Sequence, residues 1–292
     1  MQSTSLTTAI VNGESFPLYR IMPLEILLSL LKSRKNTLVR PSRWEDPFEK
    51  IVEEAHFNYN NEEMAVDAPK FRSHSWYGQC WSKKDANDTM WRIFTPNKKK
   101  RSVKIKVSYD NLISKSREYA DNPKRKNKIT FFLHEVEYAE QSEEEFGKKV
   151  SSIMDDYLSQ KSFLSTYQFQ MLVELGILLT KRESFVYENE VRLLAYREHD
   201  NTKYNRWSYT FHFADVIDEI ELDPWTPKEE IESIEESLGR FVNPSIIKPS
   251  DLYDSFEKQT KVRNITINPS HRITIMTEKC LNDLKSAHGN RP

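Results

Sequence analysis

Three observations predict an α+β fold. Segments of strand period and of helix period mix without the regular strand–helix–strand rhythm of a doubly wound parallel sheet. Ser102 to Ser108 sets Val103, Ile105 and Val107 against Lys104 and Lys106, the two-residue alternation of a half-exposed strand. Leu24, Leu27, Leu28 and Leu31 repeat at helical spacing only a few residues after a strand-like run.

In chain order, the polar segment 1–17 ends at Pro17, and Leu18-Tyr19-Arg20-Ile21 reads as a short strand. Pro23 suits the first position of a helix running to about Lys35, and Thr37 to Arg40 reads as the next strand. Asp46-Pro47 opens a helix to about Phe57, with Asp46 as N-cap and Glu49 completing a capping-box-like arrangement. Its N-terminus is also able to receive an anion. After a polar loop from Asn58 to Lys70 come a strand at Trp76 to Ser82 and a short helix at Asp85 to Phe94. Lys98 to Arg101 is a basic turn, solvated or touching a nucleic-acid backbone. Further helices are predicted at Asp110 to Glu118, Glu143 to Leu158, Phe163 to Leu179 and Pro227 to Leu238, the last capped by Gly239. Asp121 to Lys128 is a charged loop, and strands are predicted at Ile129 to Tyr138, Trp207 to Phe213, Val216 to Leu222 and near Ile265 to Ile275, before a last helix near Glu278 to Lys285. No repeat or low-complexity linker marks a boundary. The expectation is a single domain over 1–292, with a helical insertion at about 140–182 and a C-terminal extension at about 250–292.

Composition narrows the function. Forty-three basic residues face 44 acidic ones, a net charge of −1, which argues against a surface that coats nucleic acid. A mean hydropathy of −0.71, no membrane-length apolar run and no signal-like core in Met1 to Ile10 predict a cytoplasmic protein without a membrane partner. Six glycines form neither G-x-G-x-x-G nor a Walker loop, so side chains must hold any nucleotide. Two cysteines, Cys80 and Cys280, predict reduced thiols and no disulfide framework. The seven histidines show no paired ligand spacing, and no metal site is predicted.

The stretch Ser184 to Leu194 stands out because Glu188, Glu190 and Arg192 occupy every second position. As a strand, it places both carboxylates and the guanidinium on one face, where they pair and shift each other's pKa values as active sites do. As a helix, it makes Glu188–Arg192 a solvated i,i+4 pair. Trp76-Tyr77-Gly78-Gln79-Cys80-Trp81-Ser82, with Met90-Trp91-Arg92, reads as a flat aromatic wall able to stack a purine or nicotinamide ring, or as plain core. Arg20 on a strand either meets an anion in a cleft or solvates its head. A nucleophilic Cys80 would need a partner such as His74. His134-Glu135-Val136-Glu137-Tyr138 is an exposed strand edge, or a supply of ligands to a metal-dependent nuclease with Glu188 and Glu190.

Tyr19-Arg20, Asp46-Pro47-Phe48-Glu49, Cys80-Trp81-Ser82 with Met90-Trp91, Tyr187-Glu188-x-Glu190-x-Arg192 and Ile220-Glu221-Leu222-x-Pro224, in this order, resemble a widespread bacterial family known only as a domain of unknown function. The likeness spans roughly Leu18 to Pro249. Arg20, Ser82 and Glu188-Asn189-Glu190 also resemble ADP-ribosyltransferases of the Arg–Ser–Glu type, without the usual Ser-Thr-Ser strand. That resemblance implies a central, mostly antiparallel split sheet with flanking helices and NAD as substrate. It implies that Arg20, with Tyr19, holds the NAD phosphates and that Ser82, Trp81 and Trp91 form the nicotinamide pocket. Glu190 would stabilise the oxocarbenium-like transition state and Glu188 would orient or deprotonate the acceptor, while Arg192, on the same face, is counted with the NAD-binding residues. The acceptor is a protein, a nucleic acid or water. By analogy such proteins act as toxins or antiphage effectors, and the alternative is a non-catalytic sensor or partner-binding module.

Overall fold

A computed structural model describes residues 15–44, 46, 58–59, 62–63, 75–95, 101–124, 127–140, 142–158, 166–198, 200, 204–252, 262–267 and 273–277. The helices expected from Asp46 to Phe57 and near Glu278 to Lys285, most of the Asn58 to Lys70 loop, His74, and Lys98 to Lys100 lie outside the described residues.

The chain begins with β1 (Pro17–Pro23), α1 (Leu24–Ser33) and β2 (Lys35–Val39). Pro23 ends the strand rather than opening the helix. α1 stops at Arg34, a left-handed residue at φ 54°, and buries Leu27, Leu30 and Leu31. Two-residue strands β3 (Asn58–Tyr59) and β4 (Glu62–Glu63) pair antiparallel. Next come β5 (Trp76–Ser82), α2 (Asp88–Phe94), β6 (Ser102–Ser108) and α3 (Tyr109–Ala120). Asn87 and Ser108 cap α2 and α3 by accepting from the Met90 and Asn111 backbone N–H groups. The single strand expected over Ile129 to Tyr138 is two, β7 (Ile129–Glu135) and β8 (Glu137–Ala139). Helices α4 (Glu143–Leu158) and α5 (Thr166–Leu178) lead to β9 (Thr180–Arg182).

The stretch expected as one strand from Ser184 is divided. Glu183–Glu188 is a 3-10 turn, Asn189 is left-handed at φ 44°, and β10 (Glu190–Arg197) starts only then. Asparagine tolerates that conformation where most residues do not, so the alternation of Glu188 and Glu190 does not continue along one strand. The chain closes with β11 (Arg206–Thr210), β12 (Ile217–Leu222), α6 (Lys228–Gly239), β13 (Ile247–Lys248) and the hairpin of β14 (Val262–Ile267) and β15 (Ile273–Thr277). Gly239 is the last residue of α6 and not a left-handed cap. Arg240 follows at φ −69°, and the Phe241 and Val242 N–H groups both return to the Leu238 carbonyl.

Among the described residues, nine strands form one α+β sheet, mostly antiparallel, in the order β11-β2-β5-β1-β6-β12-β13, with β10 joining β5 to β7. Only β12–β13 is parallel within it. The sheet forks at β5. One edge of β5 pairs along its whole length with β10, from Glu190↔Ser82 to Tyr196↔Trp76. The other edge meets β2 only at Val39↔Gly78 and β1 only at Tyr19↔Ser82. The two branches therefore separate, and a crevice opens between them.

Alternation along β5 also corrects the expected aromatic wall. Tyr77 and Trp81 pack into one core with Val191, Leu193 and Ala195. Trp76 faces the opposite core with Leu194, Tyr196, Phe132 and the α4–α5 pair. β10 is buried on both faces, which puts Glu190 and Arg192 inside the protein rather than on a half-exposed face. β6 is likewise more buried than its alternation suggests: β1 and β12 flank it, and Lys104 lies opposite Glu221 on β12 and forms an ion pair with it at 2.5 Å.

Candidate functional site

The crevice at the fork holds a cavity of about 260 Å³. β1 supplies Tyr19, Arg20 and Ile21, β2 supplies Thr37 and Val39, and β5 supplies Gly78 to Ser82. Trp44, Ala86, Met90, Phe94, Glu188 and Glu190 complete the lining. The register explains the convergence: Tyr19, Ser82 and Glu190 are cross-strand partners on β1, β5 and β10. At about 4.8 Å per strand spacing, they form a short row under one cavity.

The Glu190 carboxylate is 3% exposed. Arg192 donates to it twice, Nε to Oε1 at 2.8 Å and Nη2 to Oε2 at 3.2 Å. Lys181 Nζ lies 2.9 Å from the same Oε2 and 2.7 Å from Glu188 Oε2. Burial works against ionisation of Glu190, but the charge and hydrogen bonds of Arg192, then Lys181 and the Cys80 thiol, outweigh it and hold the carboxyl at about 2. Glu190 is thus a fixed negative charge and not a proton acceptor near neutral pH. Arg192 does not line the cavity. It donates Nη1 to the Leu178 carbonyl at 2.6 Å, and its guanidinium lies 4.3 Å from the centre of the Trp44 ring.

Arg20 is the cavity's cation. Its side chain is half-buried, and among the described residues no carboxylate forms an ion pair with it. The guanidinium lies over the Trp81 ring at 5.9 Å. Burial, partly offset by Cys80, lowers its pKa to about 10, which leaves it protonated at neutral pH. Beside it, the Tyr19 hydroxyl is pushed up by burial and by Asp85, with Lys104 Nζ 5.5 Å from its ring.

Ser82 is buried, and its hydroxyl is within bonding distance of the Glu188 carbonyl at 2.8 Å and the Lys84 carbonyl at 3.0 Å. That geometry pins the Glu188 turn to β5. Trp91 is fully buried and does not line the cavity; its α2 neighbours Met90 and Phe94 do. Asp46 accepts a two-pronged bond from Arg182, at 2.7 and 3.1 Å. Glu135 pairs with Lys83 at 2.6 Å and Glu137 with Lys149 at 3.1 Å, so neither joins Glu188 and Glu190. Among the described residues no group of three His, Cys, Asp or Glu side chains could hold a metal ion, and no helix is long and apolar enough to cross a membrane.

Sequence reasoning missed Lys181, Gln79 and Trp44. Lys181 follows an apolar helix with no motif around it. Gln79 carries its signal only in three dimensions: it accepts from Trp81 Nε1 at 3.1 Å and exchanges bonds with Asn36 at 2.9 and 3.3 Å, which fixes the indole under Arg20. Trp44 is seated by Gly78, where an added Cβ would come 2.6 Å from Trp44 Cζ2 and 2.9 Å from Leu194 Cδ2. Gly78→Ala is therefore expected to lift Trp44 off Arg192 and to cost about 1–3 kcal/mol in urea unfolding. An unchanged unfolding midpoint would show that the indole yields freely.

No curated protein matches this chain. Among solved structures, DarT of Thermus sp. 2.9 in complex with NAD+ is similar at 11% identity, over 82% of this chain and 95% of that one, with a TM-score of 0.33. The same protein with carba-NAD+ is similar at 12% identity, over 81% and 94%, with a TM-score of 0.31. The expected likeness to a domain of unknown function is met over a narrower span: residues 90–193, from α2 into β10 and about a third of the chain, match the family model described as Protein of unknown function (DUF2971).

Proposed function

We propose that the cavity at the fork receives the nicotinamide-ribose end of NAD+ and that the protein is an ADP-ribosyltransferase-like enzyme or NAD glycohydrolase. One observation carries the reading: a cation, Arg20, and a carboxylate pair, Glu188 and Glu190, line the same 260 Å³ cavity as the Trp81 indole, whose ring centre lies 5.9 Å from the Arg20 guanidinium. The volume is just below the roughly 300–1,000 Å³ of pockets that enclose drug-sized ligands, so it suits one end of a dinucleotide. Arg20 would take the diphosphate through charge-assisted hydrogen bonds. Trp81 would pack against a ring.

In the reaction, the bond between ribose C1′ and the nicotinamide nitrogen breaks. Its electron pair leaves with nicotinamide, which departs neutral, and positive charge develops on the ribose. Glu190, held ionised, opposes that charge. Glu188 orients the incoming acceptor and takes its proton. Water as acceptor gives hydrolysis; a protein or nucleic-acid group gives transfer. Lys181 and Arg192 dilute the negative charge at Glu190, and that pairing favours the second reading, a non-catalytic module that binds a ligand or partner at the same cavity.

Nicotinamide release and calorimetric NAD+ binding test the proposal. Wild type should release nicotinamide, and Arg20→Gln should weaken NAD+ binding roughly ten- to hundredfold, the worth of a hydrogen bond to a charged group. Absence of both binding and release from the folded wild type would leave the partner-binding reading.

A further inference from the structure

Glu188 and Glu190 reach the same cavity by different routes. Glu190 sits on a strand buried on both faces and takes two bonds from Arg192. Glu188 ends a 3-10 turn whose Val186 and Tyr187 are 52% and 43% exposed. Asn189, left-handed, then breaks the alternation, so strand geometry does not aim the Glu188 carboxylate. Ser82 anchors that residue by its backbone carbonyl, while the side chain is held by Lys181 at 2.7 Å and also accepts from the half-exposed Tyr187 hydroxyl. Lys181 is itself well fixed: it stands on β9 in register with Tyr138 of β8, is 9% exposed, and lies 4.6 Å from the Phe185 ring centre.

We infer that Lys181 is a positioning residue that aims the Glu188 carboxylate into the cavity, a role that rests on the NAD+-consuming reading above. The two glutamates depend on it unequally. Arg192 keeps Glu190 in place without Lys181, whereas Glu188 loses the ammonium that joins it to Glu190. Because Glu188 is assigned to the acceptor and Arg20 to NAD+, the loss should fall on turnover and not on NAD+ binding.

The test compares Lys181→Met and Lys181→Arg with wild type in nicotinamide release, together with a ligand-free crystal structure of Lys181→Met. Misplacing a reacting group by about 1 Å can cost on the order of a hundredfold. Lys181→Met should accordingly lose about ten- to hundredfold in kcat, with KM for NAD+ within about threefold. Lys181→Arg, whose guanidinium can bridge both carboxylates, should retain most of kcat. The crystal structure should show Glu188 turned out of the cavity and Glu190 still bonded to Arg192. Unchanged kcat, or equal losses in both variants, would overturn the inference. Should wild type release no nicotinamide, the NAD+ reading fails by itself, and the crystal structure decides Lys181 alone: Glu188 unmoved overturns its role, Glu188 displaced sustains it.

Discussion

Arg192→Met is expected to destabilise the fold by about 3–5 kcal/mol, the range for removing one partner of a buried ion pair. Arg192 is 1% exposed and Glu190 3%. The methionine would fill much of the arginine's stem volume and keep contact with Trp44, so packing is not the main loss. The losses include the two-pronged bond to Glu190, the bond to the Leu178 carbonyl and the guanidinium's position over the Trp44 ring. Lys181 remains near Glu190, but it is shared with Glu188. The carboxylate then stays buried with half its compensation, and the Leu178 carbonyl needs another donor. Urea unfolding measures the effect, and the double variant Arg192→Met/Glu190→Gln supplies the control. Removing both charges should cost less than removing Arg192 alone, with a coupling of about 1–3 kcal/mol. Strictly additive losses would mean that the pair is not the source. The exposed Arg240–Glu236 pair, at 68% and 73%, is the comparison at the other extreme: its disruption should move stability by no more than about 0.5 kcal/mol.

Where local pattern and tertiary context agree, the fold was legible in the sequence. β5 and α4 occur with the boundaries expected, because a run rich in Trp and Tyr between loops, and a long amphipathic run, each has one good solution. Context overrode pattern at three places. Glu188-Asn189-Glu190 has the period of a strand, yet Asn189 turns left-handed after a 3-10 turn, and the strand starts at Glu190 instead of Ser184. Lys104 has the alternation of an exposed residue, yet it lies buried because β12 brings Glu221 opposite it. The aromatic wall at Trp76 to Ser82 ignored the pleat: neighbours Trp76 and Tyr77 must face opposite sides of any strand, and they enter different cores.

The cavity was legible in part for the same reason. Tyr19, Ser82 and Glu190 meet because three strands align them in register, residues far apart in the chain, and Arg20 reaches the same cavity from the position beside Tyr19. Residue type picked out the charged members. It had no way to pick out Lys181 or Gln79, whose importance lies in what they touch.

Stability should fall with acid between about pH 4.5 and pH 2, and Glu190 should account for close to one proton of the slope. Its carboxyl titrates at about 2 in the folded protein against an ordinary 4.5. The folded carboxyl therefore releases its proton more readily than the unfolded one. The stabilisation is fully present above the unfolded value and is lost as pH falls through the folded value. That depression corresponds to about 3 kcal/mol at neutral pH. Asp223 works in the opposite direction. Burial raises its pKa, so its contribution favours the folded state at low pH and is lost as pH rises through its folded value. Unfolding free energies at pH 7, 4.5 and 3 should show a steeper acid decline in wild type than in Glu190→Gln, and parallel curves would remove Glu190 as the cause. The same shift bears on catalysis. A carboxylate held ionised over the whole range in which the protein is well folded cannot produce an acidic limb in a turnover profile near pH 5 or 6. If wild-type nicotinamide release has such a limb, the titrating group is not Glu190, and Glu190 acts through its charge alone.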